Sequence, residues 1–451
     1  MKTALIVGMA RSGIASARLL AAKGYRIIIN DIRREIPGLF ESLCGIQYVN
    51  ALGAEPGTLL AGVDLMVLSP VIPIFAPFAR EAERRGIEVI GEIELGYRFS
   101  DRGARFVCIS GTNGKTTTTA LTGEIFKAAG ERTFVLGNIG VPIADKALDT
   151  REGDAVVAEV AALQLESIKQ FRPNAFGMLN ISEDHLNRFE YSMENYIAAK
   201  QRGFENQTDQ DFAVLNYDDS LVRDMNRLTK AKTLYFSSTQ EVEEGAFISE
   251  GVIKYRINGV TTPVIPVNGL RIPGEHNIEN ALCATALSMC MGLPAESVRD
   301  GLRRFNGVEH RIEFVRELNG VRYINDSKAT NPDSAIKAVQ AMKWPTVLLL
   351  GVGEYDKQSD FRPLFRAFGE TVKGVVASGV NARAILEAAE ETGFKNIRVC
   401  DAGLEEMVAQ AASMAGKGGA VLLSPAAASW GAFDDFEHRG REFKRIVNGL
   451  H

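Results

Sequence analysis

The sequence predicts an α/β protein of three domains. These are a Rossmann-like N-terminal domain, a central P-loop domain with a mostly parallel sheet, and a second Rossmann-like domain at the C-terminus. Three observations carry the expectation. Apolar runs of strand length alternate with helical patterns along nearly the whole chain, as βαβ units require. The stretch 110–119, SGTNGKTTTT, stands between such an apolar run and a helical pattern. The chain has 451 residues, which the usual domain size divides into about three. The expected boundaries fall at 1–94, 95–308 and 309–451.

Composition narrows the class. Lys and Arg number 51 against 56 Asp and Glu, a net charge of −5, which argues against a nucleic-acid partner. Hydrophobic residues at 46% and charged residues at 24% fit a soluble globular protein. Cys44, Cys108, Cys283, Cys290 and Cys400 are scattered and form no CxxC pair, so a reduced, cytoplasmic setting is expected. The chain enters a strand at once, which speaks against a signal peptide. No apolar run approaches membrane-spanning length.

In the first segment, Ala4 to Gly8 reads as a buried strand, Ile14 to Lys23 as a helix, and Arg26 to Asn30 as a second strand ending at Asp31. This is a βαβ unit with an acidic residue near the place a dinucleotide fingerprint needs one. Its turn reads G-M-A-R-S-G, with Ala10 where the middle glycine belongs. A redox cofactor, another nucleotide and a ligand-free fold all remain open from these residues. Asp64 to Ser69, followed by Pro70, is a further strand whose end lines the crevice of such a sheet.

The middle segment holds the phosphate loop, between the strand Phe106 to Ile109 and the helical pattern Leu121 to Ala129. Backbone N–H groups of such a turn and of the following helix N-terminus converge on one anion. Gly111 and Gly114 allow close approach, Lys115 supplies a cation, and Thr116 or Thr117 a hydroxyl for Mg²⁺. The strict spacing fails at Ile109, which stands where its first glycine would be. Further strands are expected at Thr133–Leu136, Ala155–Val160, Ala175–Asn180 and Ala213–Asn216. Glu159 ends one of them and is either a Mg²⁺ ligand or a capping acid. His185 follows Asn180, and Lys200 ends a helical run. A loop histidine and a solvated helix lysine are their ordinary alternatives. Asn277 and Asn280 lie three apart on an otherwise apolar helix, so these buried amides need partners.

In the last segment, strand Val321 to Ile324 runs into the polar cluster Asn325 to Pro332. Strand Thr346 to Gly351 runs into a second glycine-rich loop ending at Lys357. Strands near Val375–Ser378, Ile397–Cys400 and Val421–Ser424 complete a second Rossmann-like pattern.

These pieces, in this order, resemble the Mur ligase family of peptidoglycan precursor enzymes. The resemblance rests on GTNGKTTT at 111–118, EDHLNR at 183–188, YIAAK at 196–200, HNIEN at 276–280, EHR at 309–311, NDSKATN at 325–331 and LLSPAAASWGAFDDFEHRGREF at 422–443. The last stretch and the N-terminal unit are most similar to the branch that adds D-glutamate. The chain departs from the family at Ala10, at Val71 after Ser69-Pro70, in the residues after Glu159, and in the G-V-G of the second glycine loop.

The resemblance implies a cytoplasmic, monomeric ligase with no membrane or nucleic-acid partner. ATP, two Mg²⁺ ions, UDP-N-acetylmuramoyl-L-alanine and D-glutamate would be its ligands. It gives the ATP phosphates to Gly111, Thr112, Asn113, Gly114, Lys115, Thr116 and Thr117. It gives the adenosine to Asn277, Arg311 and Asp326. Thr116, Glu159, His185 and Lys200 are implied around the metals, with Lys200 carried as a carbamate. Lys115, Lys200 and His185 are implied as catalytic. Ser12, Asp31 and Arg33 match uridine-side positions, and Asn138 a muramoyl contact. Thr330, Lys357, Ser429 and Phe436 match the D-glutamate pocket.

Four other functions compete. The first is another ligase of the same family, adding a different amino acid. A folylpolyglutamate synthetase normally lacks a domain like 1–94. A nicotinamide-dependent oxidoreductase needs the fingerprint that Ala10 breaks. A P-loop motor or switch would turn over ATP without any amino acid.

Overall fold

The computed structural model describes residues 1–138, 140–183, 186–272, 274–354, 359–429 and 431–450, with the side chains of Leu186 and Asn187 excepted. The chain forms two compact units, Met1–Phe305 and Asn306–His451. The first unit contains two sheets and the second one.

The first sheet comprises β1 (Thr3–Val7), β2 (Arg26–Asn30), β3 (Tyr48–Asn50), β4 (Leu65–Leu68) and β5 (Glu88–Gly91), in the order 3-2-1-4-5. Every pairing is parallel, with Ala4 opposite both Ile27 and Leu65. All five residues of β1 are buried, as a strand covered on both faces requires. Helix Arg11–Ala22 follows β1 closely. A Cβ on Gly13 would collide with the Gly8 carbonyl, so the last glycine of the G-M-A-R-S-G turn is the one that packing demands.

The second sheet has nine strands: β6 (Arg105–Ser110), β7 (Thr133–Gly137), β8 (Ala155–Glu159), β9 (Ala175–Met178), β10 (Phe212–Asn216), β11 (Lys232–Ser237), β12 (Gly245–Ser249), β13 (Val252–Ile257) and β14 (Val260–Pro266). Their order is 14-13-12-11-10-9-6-8-7. The run from β7 to β12 is parallel, and β12–β13–β14 is an antiparallel meander. Two-residue turns join the meander, at Glu250-Gly251 and Asn258-Gly259, all four residues with positive φ. The expectation of a mostly parallel central sheet holds, and the meander is what it omitted.

The second unit carries β15 (Glu313–Leu318), β16 (Val321–Asn325), β17 (Thr346–Leu350), β18 (Val372–Ala377), β19 (Ile397–Val399) and β20 (Ala420–Leu423), in the order 15-16-20-17-18-19. Only β15 is antiparallel, joined to β16 through Asn319-Gly320. One hydrophobic core lies on each face of this sheet, one around Leu348 and Leu422 and the other around Val347 and Val421.

All five cysteines are unpaired. Cys108, Cys283 and Cys400 are buried, Cys290 is half-buried and Cys44 is exposed. Among the described residues no helix is long and apolar enough to cross a membrane.

Candidate active site

The strand order of the second sheet creates the site. β6 lies between β8 and β9, with Ile109 opposite both Glu159 and Gly177. The C-terminal ends of three parallel strands therefore open side by side, where ligands of such sheets bind. The loop after β6 leads into helix Lys115–Ala128, whose N-cap Gly114 has φ +83°. A Cβ there would collide with Asn280 Oδ1. Sterics and backbone conformation thus both select glycine.

The residues around this loop interlock. Asn180, after β9, accepts from Thr112 N at 2.9 Å through its carbonyl and from Asn113 N at 2.8 Å through Oδ1. Thr112 Oγ1 donates to Ser182 O and lies 3.1 Å from the Tyr196 hydroxyl. Lys115 Nζ lies across the loop, donating to Gly111 O at 2.9 Å and Thr112 O at 2.8 Å. Lys200 Nζ, buried on helix Met193–Gln201, donates to the same Gly111 carbonyl at 2.7 Å and lies 4.8 Å from the Tyr196 ring centroid. Both amino groups therefore donate to one loop carbonyl, beside the loop and helix-N-terminal N–H groups that suit an anion.

Beside them Glu159, the buried last residue of β8, accepts from Thr116 Oγ1 at 2.7 Å and from Asn138 Nδ2 at 2.8 Å, one on each carboxylate oxygen. Asn280 Oδ1 accepts from Thr118 Oγ1 at 3.1 Å, and Asn280 Nδ2 donates to Asn277 Oδ1 at 3.1 Å. The structure thus brings Lys115, Thr116, Asn138, Glu159 and Lys200 together at one strand-end site. Asn280 touches the loop and Asn277 touches Asn280. His185 lies outside the described residues. Among those described, no group of three or more His, Cys, Asp and Glu could hold a metal.

Asn180 was missed as a loop-binding residue, although its place at a strand end beside the loop was a usable signal. Tyr196 was missed because nothing local marks a helix tyrosine whose hydroxyl reaches a loop 84 residues away in sequence.

On the first sheet, Asp31 follows β2 and accepts from Met9 N at 2.8 Å, which fixes the turn after β1. Arg33 forms a forked pair with it, at 2.9 Å on both oxygens, and holds the Asp31 carboxyl well below the usual carboxylate range. Ser12 is half-buried in the first turn of helix Arg11–Ala22, with its carbonyl accepting from Ser16 Oγ.

In the second unit the same strand-end logic recurs, because β20 lies between β16 and β17. Asp326 follows β16 and accepts from Ser424 Oγ at 2.7 Å and Ile312 N at 3.1 Å. Burial pushes its carboxyl up to about 7. Phe436 accepts from Ser327 Oγ through its carbonyl, and its ring lies edge-on to His310. Ser429 is buried, while Thr330 and Arg311 are half-buried. Arg439, fully buried, donates to Ser327 Oγ and to the carbonyls of Ser327, Val352 and Ala427. It therefore fastens the loops after β16, β17 and β20 to one helix, and burial lowers its pKa to about 9. Lys357 lies outside the described residues.

A P-loop at the switch point of a parallel sheet, with a Rossmann-like sheet before it and another after it in sequence, defines a three-part nucleotide-binding protein of the P-loop class. Residues 2–91 match the Mur ligase MurD-like N-terminal domain, 109–288 the Mur ligase middle domain, and 310–427 the Mur ligase glutamate ligase domain. The chain belongs to the Mur ligase family. It is 46% identical over 455 aligned residues to the UDP-N-acetylmuramoylalanine--D-glutamate ligase of Alkaliphilus metalliredigens, covering 100% of this chain and 98% of that one. It is 41% identical to the protein of the same name from Clostridioides difficile, over 100% of this chain and 99% of that one. Among solved structures, the UDP-N-acetylmuramate-alanine ligase MurC of Thermotoga maritima shares the fold, with a TM-score of 0.59, 19% identity and 99% of each chain covered.

Proposed function

We infer that the protein joins D-glutamate to UDP-N-acetylmuramoyl-L-alanine by an amide bond, converting ATP to ADP and phosphate, in cytoplasmic peptidoglycan precursor synthesis. The observation that carries the ATP half is Lys115 lying across the glycine-rich loop on the Gly111 and Thr112 carbonyls, beside the Thr116–Glu159 pair. The substrate half rests on relatives 41–46% identical over the whole chain that bear that ligase name.

An amide from a free carboxylate and an amine is uphill in water, so the carboxylate must first be activated. The terminal phosphoryl group of ATP moves to a carboxylate oxygen of the L-alanine end. The bond to the bridging oxygen breaks, ADP departs and an acyl phosphate forms. The free amine of D-glutamate attacks the acyl carbon, loses a proton, and phosphate leaves the tetrahedral intermediate. Both reactants of the first step are anions, and Lys115 neutralises part of the charge as they approach.

Glu159 and Thr116 present oxygen donors 2.7 Å apart at the loop, the donor type magnesium takes when it needs only one or two protein ligands. They would hold Mg²⁺ with His185, and two ions are expected. Bound there, Mg²⁺ lowers the charge repulsion between phosphates and carboxylate. Lys200, buried 2.7 Å from a loop carbonyl, would join them as a carbamate, which replaces a cation with oxygen ligands.

Residues 1–94 then serve the uridine nucleotide through Ser12, Asp31 and Arg33, and Asn138 serves the muramoyl group. Residues 95–308 serve ATP. Residues 309–451 serve D-glutamate through Thr330, Lys357, Ser429 and Phe436, with Arg311 and Asp326 on the adenosine. The working form is taken as a monomer. The deciding experiment measures phosphate release from ATP by purified protein with UDP-N-acetylmuramoyl-L-alanine and a panel of amino acids. Release that depends on D-glutamate is expected. Release without any amino acid, or only with a different one, overturns the reading.

A further inference from the structure

Arg188 stands outside every role assigned so far, yet its surroundings are unusual. Its guanidinium is mostly buried and pairs through Nη2 with Glu166 Oε2 at 2.6 Å. Its carbon lies 5.0 Å from the centroid of the Phe75 ring, a cation–π contact. Nε and Nη1 are buried with no acceptor among the described residues. An arginine placed only for stability would have these donors satisfied, since unmet buried donors are destabilising. Here one ion pair and one aromatic face fix the position.

Those two partners belong to different parts of the first unit. Phe75 lies in the segment after β4, the strand end that lines the crevice of the first sheet. A cavity of only ≈ 10 Å³ lies among Ile72, Ile74, Leu163 and Ser167. Glu166 ends the segment that follows β8 and Glu159. On the other side, Phe189 is the next residue after Arg188. Its ring packs edge-on against Tyr196 at 5.3 Å, and the Tyr196 hydroxyl lies 3.1 Å from Thr112 Oγ1 in the phosphate loop. A continuous set of contacts therefore runs from Phe75 through Arg188, Phe189 and Tyr196 to Thr112.

We propose that Arg188 is a positioning residue that couples occupancy of the first sheet's crevice to the affinity of the phosphate loop for nucleotide. A ligand that settles the segment after β4 fixes Phe75, which fixes the guanidinium and with it the 186–189 turn. Tyr196 is then held against Thr112. The coupling is reciprocal: nucleotide in the loop favours the same arrangement at Phe75. This inference rests on the ligase reading above, which supplies the identity of the two ligands.

The test uses the full chain and a non-hydrolysable ATP analogue with Mg²⁺. Its dissociation constant is measured by calorimetry, alone and with saturating UDP-N-acetylmuramoyl-L-alanine. Wild type is expected to bind the analogue about tenfold more tightly when the uridine substrate is present, within the usual range of such couplings. Arg188→Lys, which keeps the charge but loses the planar fork, and Phe75→Leu should each leave substrate-free affinity within about twofold and remove most of the enhancement. The double variant should be no worse than either single one, because both break the same link. Enhancement retained in both single variants overturns the proposal, as does its absence in wild type. A fall in substrate-free affinity together with a lower melting temperature in both variants marks a structural role and also overturns it. Phosphate release by wild type with D-glutamate is measured in parallel. Its failure refutes the ligase reading, whereas an active wild type with coupled variants refutes only the link.

Discussion

Glu92 and Glu94 stand two residues apart on helix Glu92–Phe99 and meet opposite environments. Glu94 accepts from the backbone N–H groups of Lys169, Gln170 and Phe171 and from Arg98 Nε. Glu92 accepts from Ala144 N through one oxygen, and its other oxygen has no partner among the described residues. Burial pushes the Glu92 carboxyl up to about 7 from 4.5. A carboxyl with a raised folded-state pKa binds more protons folded than unfolded between those values, so stability falls as pH rises across that window. Glu92→Gln cannot ionise. Its stability relative to wild type should therefore improve by roughly 1–3 kcal/mol from pH 5 to pH 8, measured by urea denaturation at both pH values. A relative stability that does not change with pH would place the ionisation elsewhere. Lys200 poses a second residue-scale question. Lys200→Ala should lose ligation by at least a hundredfold, in line with removal of a charge-stabilising group. A short carboxylic acid should restore part of it by supplying the oxygen ligand. No restoration by any such acid would argue against a carbamate.

At the scale of elements, the phosphate loop tolerates no side chain at its helix N-cap. Gly114→Ala should weaken ATP binding by tenfold or more, since strain at φ +83° alone is of order 1–3 kcal/mol. Adding Asn280→Ala relieves the collision with Asn280 Oδ1 and leaves the strain, so recovery should be partial. Calorimetric titration with ATP reads both. The loop itself was legible because its chemistry is local: glycines, a lysine and hydroxyls fall within one turn. The meander β12–β14 was not recognised, although Asn258-Gly259 between Tyr255-Arg256-Ile257 and Val260 is a strong hairpin pattern. Pro263 and Pro266 obscured it, and both sit in β14, where an edge strand can spare their N–H groups. Asn138 meeting Glu159, and Tyr196 meeting Thr112, depend on strand order and could not be read from spacing.

At the scale of the whole molecule, alternation of strand and helix is enough to predict three α/β parts, while each sheet's order is set by long-range pairing that local pattern does not carry. The second unit keeps both of its cores within its own residues. The segment 306–451 expressed alone should therefore unfold in a single cooperative urea transition, as most domains of that size do. A non-cooperative transition would show that it needs the rest of the chain. The cysteines have a practical consequence. Burial pushes the thiols of Cys108, Cys283 and Cys290 up, and Cys400 is buried, which leaves Cys44 as the most accessible thiol. A maleimide dye added to the unaltered protein should attach there, between helix Leu39–Ser42 and the edge strand β3. Wild-type sequence thus comes with a built-in attachment point for a fluorescent reporter beside its first sheet, remote in sequence from the glycine-rich loop after β6.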